Sequence, residues 1–175
     1  GSIDFKNALA HSCNCAFGNI AVQLGGKTLE QYAQKAGLTR ALSCDGYQSA
    51  AGSVKLSGAD DGDVAWAGIG QYTDQVSAYA FLRFMGIVAG GGEAAEPYLM
   101  ASVQKGEKTT YRARTVSTGR VLDHAAAQTL SAMMRYNVEN VYGAWQFDDL
   151  KVCAKSGTAE MEGQTANAMF AGFVD

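Results

Sequence analysis

Two apolar segments near the C-terminus, residues 150–155 and 166–174, flank the stretch SGTAEMEGQT, whose length and glycines suit a β-hairpin. Much of the chain upstream follows a helical period instead. Apolar residues from Ile3 through Leu9, Phe17, Ile20 and Leu24 recur at helical spacing until Gly25-Gly26 stops them, which predicts a long helical region, or two helices broken near Cys13. Thr28 to Gln31 matches a capping box, Leu29, Tyr32, Ala33 and Ala36 form a stripe, and Gly37 stands where a left-handed cap belongs. Residues 37–70 are rich in Gly, Ser, Asp and Ala without sustained period and read as a long surface excursion. Thr73 or Asp74 then caps a helix through Val76, Tyr79, Leu82, Ile87 and Val88. It is apolar nearly all round, so burial is expected.

Further on, residues 96–103 and 110–116 read as strands separated by QKGEK, and Asp123 caps a helix running to about Glu139. This segregation of helices and antiparallel strands makes the fold class α+β. One domain spans 1–175, with a mostly helical lobe over 3–92 and strands with a long helix over 93–175. The abrupt end after an apolar strand, and Gly1-Ser2 with the look of a cloning scar, suggest a piece cut from a longer domain. An exposed edge at 166–174 would suit strand pairing with a second chain.

Composition matters here for what it excludes. A net charge of -3 with no basic cluster argues against nucleic acid as a partner. Cys13, Cys15, Cys44 and Cys153 form no CxxC pair, and neither His11 nor His124 stands in ligand spacing with them, so no metal is expected and the thiols read as small buried hydrophobes. GGKT at 25–28 ends like a phosphate-binding loop, but Ala21 occupies the place of its first glycine and helix precedes it. No GxSxG and no HExxH occurs, and GIGQ at 68–71 lacks a dinucleotide fingerprint's third glycine.

Two short motifs remain, Ser12-Cys13-Asn14 at a helix break and Lys155-Ser156-Gly157-Thr158 at the end of a strand. The second presents a cation, two hydroxyls and, through its glycine, approachable backbone donors along one strand edge. Such an edge suits a carboxylate-bearing ligand and can stabilise a developing oxyanion. The first offers a hydroxyl for proton relay and an amide to orient a peptide.

In this order the two motifs resemble SxN and KSG of the penicillin-binding transpeptidases and serine β-lactamases. The segments ALAHSCNCAFGNIAVQLG, GIGQYTDQVSAYAFLRFMGIVAGGGEAAEPYLM, LSAMMRYNVEN and KVCAKSGTAEMEGQTANAMFAGFVD are similar to that family's SxN segment, Gly-Gln loop and buried helix, last long helix and paired central strands. The likeness is greatest to the class B transpeptidases. It implies a partial β-lactamase/transpeptidase-like fold, with the strands and helix before SxN and the last strand and helix after Phe173 absent.

By that resemblance Ser12 would relay a proton to the leaving nitrogen and Asn14 would hold the substrate amide. Lys155 would supply positive potential and a hydrogen bond to Ser12, while Thr158 with Ser156 would bind a terminal carboxylate. The Thr158 N–H would be an oxyanion donor, and Gly157 would let substrate lie against the strand. The implied partners are a D-Ala-D-Ala stem peptide and β-lactams, with no cofactor, in a parent anchored to the bacterial plasma membrane and working outside the cytoplasm. A non-catalytic peptidoglycan-binding or β-lactam-sensing module and a serine β-lactamase fragment are the alternatives.

Two departures stand out. Thr73-Asp74-Gln75 follows the Gly-Gln loop where the family usually has Thr-Pro-Leu-Gln, and no SxxK precedes Ser12, so the acylated serine is not expected in this chain. Ser102-Val103-Gln104-Lys105 matches SxxK, but it lies after SxN and in a strand, and we take it as a chance match.

Overall fold

Helix α5 (Ala78–Ala89) organises the interior of the computed structural model, which describes residues 1–160, 163 and 165–175. Its Met85 and Val88 pack with Met134 of α6 (His124–Asn137) and Cys153 of β7 (Val152–Ala159), under Ala171 and Phe173 of β8 (Asn167–Val174). On its other side Ile87, with no exposed surface, meets Ala36, Ala94 and Val121. The helix thus ties the two halves of the chain together. Removing these side chains from water is the main stabilising force, at about 1.5–3 kcal/mol for each large one.

Strands β7 and β8 pair antiparallel without a register shift, from Val152 opposite Val174 to Ala159 opposite Asn167. The expected pair is therefore present, but β7 runs on through residues 156–159, which the sequence places in the connection, because the ladder with β8 continues to Asn167. Met161, Glu162 and Gln164 of its connection lie outside the described residues. Gly172 is required where it stands, since a Cβ there would collide with the Cys153 carbonyl oxygen across the ladder.

The first helical region is broken as expected, into α1 (Phe5–Ala10) and α2 (Asn14–Leu24). Helix α3 (Gly26–Lys35) departs from expectation. It starts at Gly25-Gly26, so Thr28 lies inside it and the capping box is not used. A tight approach explains the glycine start, because a Cβ on Gly26 would come within 2.6 Å of the Leu56 carbonyl oxygen. Gly37 has φ 77°, the left-handed conformation expected after this helix.

The excursion over 37–70 is more ordered than its composition suggests. It contains a short hairpin, β1 (Ser43–Cys44) with β2 (Tyr47–Gln48), and helix α4 (Asp61–Gly68), capped by the Asp60 carboxylate on the Asp63 N–H. Its Val54, Leu56 and Ala67 form a small core with Leu29 and Ala33 of α3.

Neither Thr73 nor Asp74 caps α5; Ser77 does, accepting from the Ala80 N–H. The backbone at Gln75 is bound in both directions to Ser53, which holds 73–76 out of the helix. Burial of α5 is also less complete than expected, as Leu82 is 64% exposed.

The two strands expected around QKGEK are four. Pro97 has no N–H to give, and the first is divided into β3 (Glu93–Glu96) and β4 (Ser102–Lys105) on either side of the segment it opens. Strand β4 pairs with β5 (Lys108–Arg112), while β3 pairs with β6 (Val116–Arg120). Beyond α6, Val138–Tyr142 winds into a π turn and Ala144–Phe147 into a 3₁₀ turn. Cys44 and Cys153 are buried as expected, but Cys13 is half-buried and Cys15 exposed, because the α1–α2 break turns them toward the surface. No helix among the described residues is long and apolar enough to cross a membrane.

Candidate active site

The break between α1 and α2 is built by backbone hydrogen bonds that fold the chain back on itself. His11, Ser12 and Cys13 donate their N–H groups to the carbonyls of Asn7, Leu9 and Ala8. Ser12 takes φ 51°, a left-handed conformation that costs a non-glycine residue about 1 kcal/mol. What that conformation achieves is to aim the Ser12 hydroxyl off the helix end. Asn14 follows as the first residue of α2. Helix α1 is held in turn against α6, where the Tyr136 hydroxyl donates to Asn7 Oδ1 at 3.2 Å and the Lys6 ammonium lies 4.1 Å from the Tyr136 ring centre.

On the opposite wall, β7 brings its motif to the surface from a buried base. Val152 and Ala154 pack with Val138, and Asn137, wholly buried, donates from Nδ2 to the Ala154 carbonyl at 3.1 Å. That bond fixes the strand one residue before Lys155. The Lys155 ammonium donates to Ser12 Oγ at 2.5 Å and to the Ser156 carbonyl at 2.5 Å.

Between these walls lies an open cleft of about 510 Å³, lined by Leu9, Ser12, Asn14 and Phe17 on one side and Lys155, Ser156, Gly157 and Thr158 on the other. Gly68 and Ile69, from the end of α4, complete it. All six residues singled out in the sequence therefore meet in one place. Gly157 is not required by packing, since a Cβ there would meet nothing within 4 Å; what its missing side chain leaves open is the cleft itself.

Ser156 is also bound to a residue outside its motif. Its Oγ lies 3.0 Å from the Tyr142 hydroxyl, and its N–H donates to the same oxygen at 2.9 Å. Tyr142 and Asn137 were not among the sequence candidates. Both belong to the end of α6 and the turn after it, and nothing in VENVYG shows that the turn would reach β7.

Ser102 and Lys105, the stray SxxK match, sit on the exposed β4–β5 hairpin and do not line the cleft. Among the described residues no cluster of His, Cys, Asp and Glu could hold a metal ion. The site offers one cation, hydroxyls and backbone donors, a set suited to binding an anionic, carbonyl-bearing ligand.

Among curated proteins none matches the sequence. Among solved structures the chain is similar to penicillin-binding protein A from Mycobacterium tuberculosis, with a TM-score of 0.88 at 21% identity over 98% of this chain and 42% of that one. The ceftriaxone acyl-enzyme complex of that protein gives a TM-score of 0.89 at 21% identity, covering 98% of this chain and 40% of that one. The D,D-transpeptidase domain of a peptidoglycan glycosyltransferase from Eggerthella lenta gives 0.85 at 21% identity, over 99% of this chain and 46% of that one. The chain thus spans less than half the length of each of these structures. The family model described as penicillin binding protein transpeptidase domain matches residues 1–175, and the chain belongs to that family.

Proposed function

We propose that the protein carrying this chain is a D,D-transpeptidase that cross-links peptidoglycan through a serine acyl-enzyme, with the nucleophile supplied by residues outside this sequence. The observation that carries the reading is the Lys155–Ser12 hydrogen bond, which joins the two motifs across one cleft. In the proposed reaction a serine oxygen attacks the penultimate D-Ala carbonyl and the bond to the terminal D-Ala nitrogen breaks. The proton that the attacking serine gives up passes through Ser12 to that nitrogen, and an amine from a neighbouring stem peptide then takes the acyl group while its own proton returns to the serine.

In this scheme Lys155 keeps the field in the cleft positive and orders the Ser12 hydroxyl. Asn14 holds the substrate amide, Ser156 and Thr158 receive the terminal carboxylate, and the Thr158 N–H faces the developing oxyanion. Gly157 leaves room for the peptide against the strand. The acyl-enzyme complexes described for penicillin-binding protein A support β-lactams as ligands of the same cleft. The work would take place outside the cytoplasm, in a parent anchored to the plasma membrane.

The test is intact mass after incubation with excess benzylpenicillin, on this chain and on a form extended upstream. One added penicillin on the extended form alone supports the reading. Acylation of the short chain would place the nucleophile inside it and refute the assignment, and acylation of neither would refute the transpeptidase itself.

A further inference from the structure

We infer that Tyr142 is a positioning residue that sets the Ser156 hydroxyl to donate to the ligand's carboxylate, an inference that rests on the transpeptidase reading above. The phenol oxygen has one proton to give and two lone pairs. One lone pair is occupied by the Ser156 N–H at 2.9 Å, and Ser156 Oγ lies 3.0 Å away. A carboxylate only accepts hydrogen bonds. When one occupies the cleft, the Ser156 proton goes to it and cannot also go to Tyr142. The tyrosine proton is then the one that fills the Ser156 oxygen, giving a chain from backbone N–H to phenol to serine to carboxylate in which each bond polarises the next.

The surroundings hold the phenol at that place. Tyr142 ends the turn whose first residue, Val138, is wholly buried, and the Gly143 N–H closes the turn on the Val138 carbonyl. Its ring meets the edge of Phe170 at 5.6 Å, and Phe170 stacks on Phe147 at 5.9 Å. Phe170 is also the residue opposite Ser156 in the β7–β8 ladder, so one aromatic side chain couples the tyrosine to the strand it serves.

The backbone adds a second consequence. The Ser156 N–H points away from β8 to reach Tyr142, and in a strand the N–H two residues on points the same way. Thr158 therefore presents its N–H along the same edge. The β7–β8 pairing sets that direction, so the donor proposed for the oxyanion does not depend on the Tyr142 hydroxyl and serves acid and ester alike.

The experiment uses the whole protein that contains this chain, as wild type, Tyr142→Phe, Ser156→Ala and the double variant. Binding and acylation constants are measured separately for benzylpenicillin and for its methyl ester, in which the carboxylate charge is gone. Tyr142→Phe keeps the ring and its contact with Phe170, and the acid-to-ester ratio is taken on one sample, so any loss of folded protein cancels. The expected result is a ten- to hundredfold fall for the acid, about the worth of one hydrogen bond to a charged group, with the ester changed less than about twofold. Ser156→Ala should show the same selective loss, and the double variant should be no worse than the poorer single one. Equal losses for acid and ester, or no loss in Tyr142→Phe, would overturn the inference. A wild type acylated by neither compound would overturn the transpeptidase reading, and the role of Tyr142 with it.

Discussion

The Lys155 ammonium lies 2.5 Å from Ser12 Oγ, a contact between residues 143 positions apart in sequence. The two reach each other from independently anchored walls. Ser12 depends on α1 and its grip on α6, whereas Lys155 depends on β7 and the Asn137 bond at Ala154. Since α6 supports both, a single helix sets the width of the cleft.

Replacing the lysine tests what that contact is for. In the whole protein, Lys155→Ala should lower the rate of acylation by benzylpenicillin by about a hundred- to ten-thousandfold, the usual worth of a group that assists proton transfer. The melting temperature should hardly move, because Lys155 is only half-buried at the cleft. Stopped-flow acylation beside a thermal melt gives both numbers. Near-normal acylation would remove Lys155 from the chemistry.

Ser12 allows stability and activity to be separated. At φ 51° a glycine is at ease and a β-branched side chain is not. Ser12→Gly should leave stability unchanged or slightly raised, while Ser12→Val should cost about 1–2 kcal/mol. Both remove the hydroxyl that Lys155 holds, so both should lose acylation to a similar extent. Activity that followed stability across the pair would show that only the backbone at Ser12 matters.

Asp74 should make stability fall as pH rises. Burial pushes its carboxyl up to about 6 from an ordinary 3.8, and its Oδ1 has no hydrogen-bond partner among the described residues. Between those two values the folded form holds a proton that the unfolded form has released. The stabilising effect is complete below about pH 4 and is lost as pH rises through about 6. Asp74→Asn, which cannot ionise, should abolish that slope and gain about 1–2 kcal/mol at pH 7.5, a range already discounted for partial exposure to solvent. Urea melts of both forms from pH 4 to 8 would show it, and parallel curves would refute it.

The two motifs are legible in the sequence because they stand in order and together resemble SxN and KSG; singly, a hydroxyl with an amide at a helix break or a cation with hydroxyls and a glycine on a strand edge says little. The β7–β8 pair is legible too, since its apolar segments and the glycines between them are local, although β7 continues through Ala159 into what reads as the connection. The start of α5 is not, because Ser77 wins the cap only after Gln75 is bound to Ser53, a contact between distant segments. Helix α4 hides behind Gly62 and a run of aspartates that suit a loop equally well, and is helical because Val64 and Ala67 find cores to enter. Tyr142 is out of reach for a similar reason. Its role exists only once a π turn after α6 carries the phenol to β7.

The packing of α2 on α4 gives a last prediction, about how the cleft's third wall is held. Gly68 lines the cleft, and a Cβ on it would collide with Ala21 Cβ, too close for either helix to keep its place. Gly68→Ala should therefore destabilise the protein by about 1–3 kcal/mol, the ordinary cost of overpacking. Ala21→Gly alone should cost about 1 kcal/mol through lost helix propensity. Combined, the two should cost less than their sum by at least about 1 kcal/mol, because the second substitution removes the atom with which the first collides. Denaturant titration of the four forms measures that coupling, and strictly additive losses would mean that the helices relax apart and the contact at Gly68 does not position the wall.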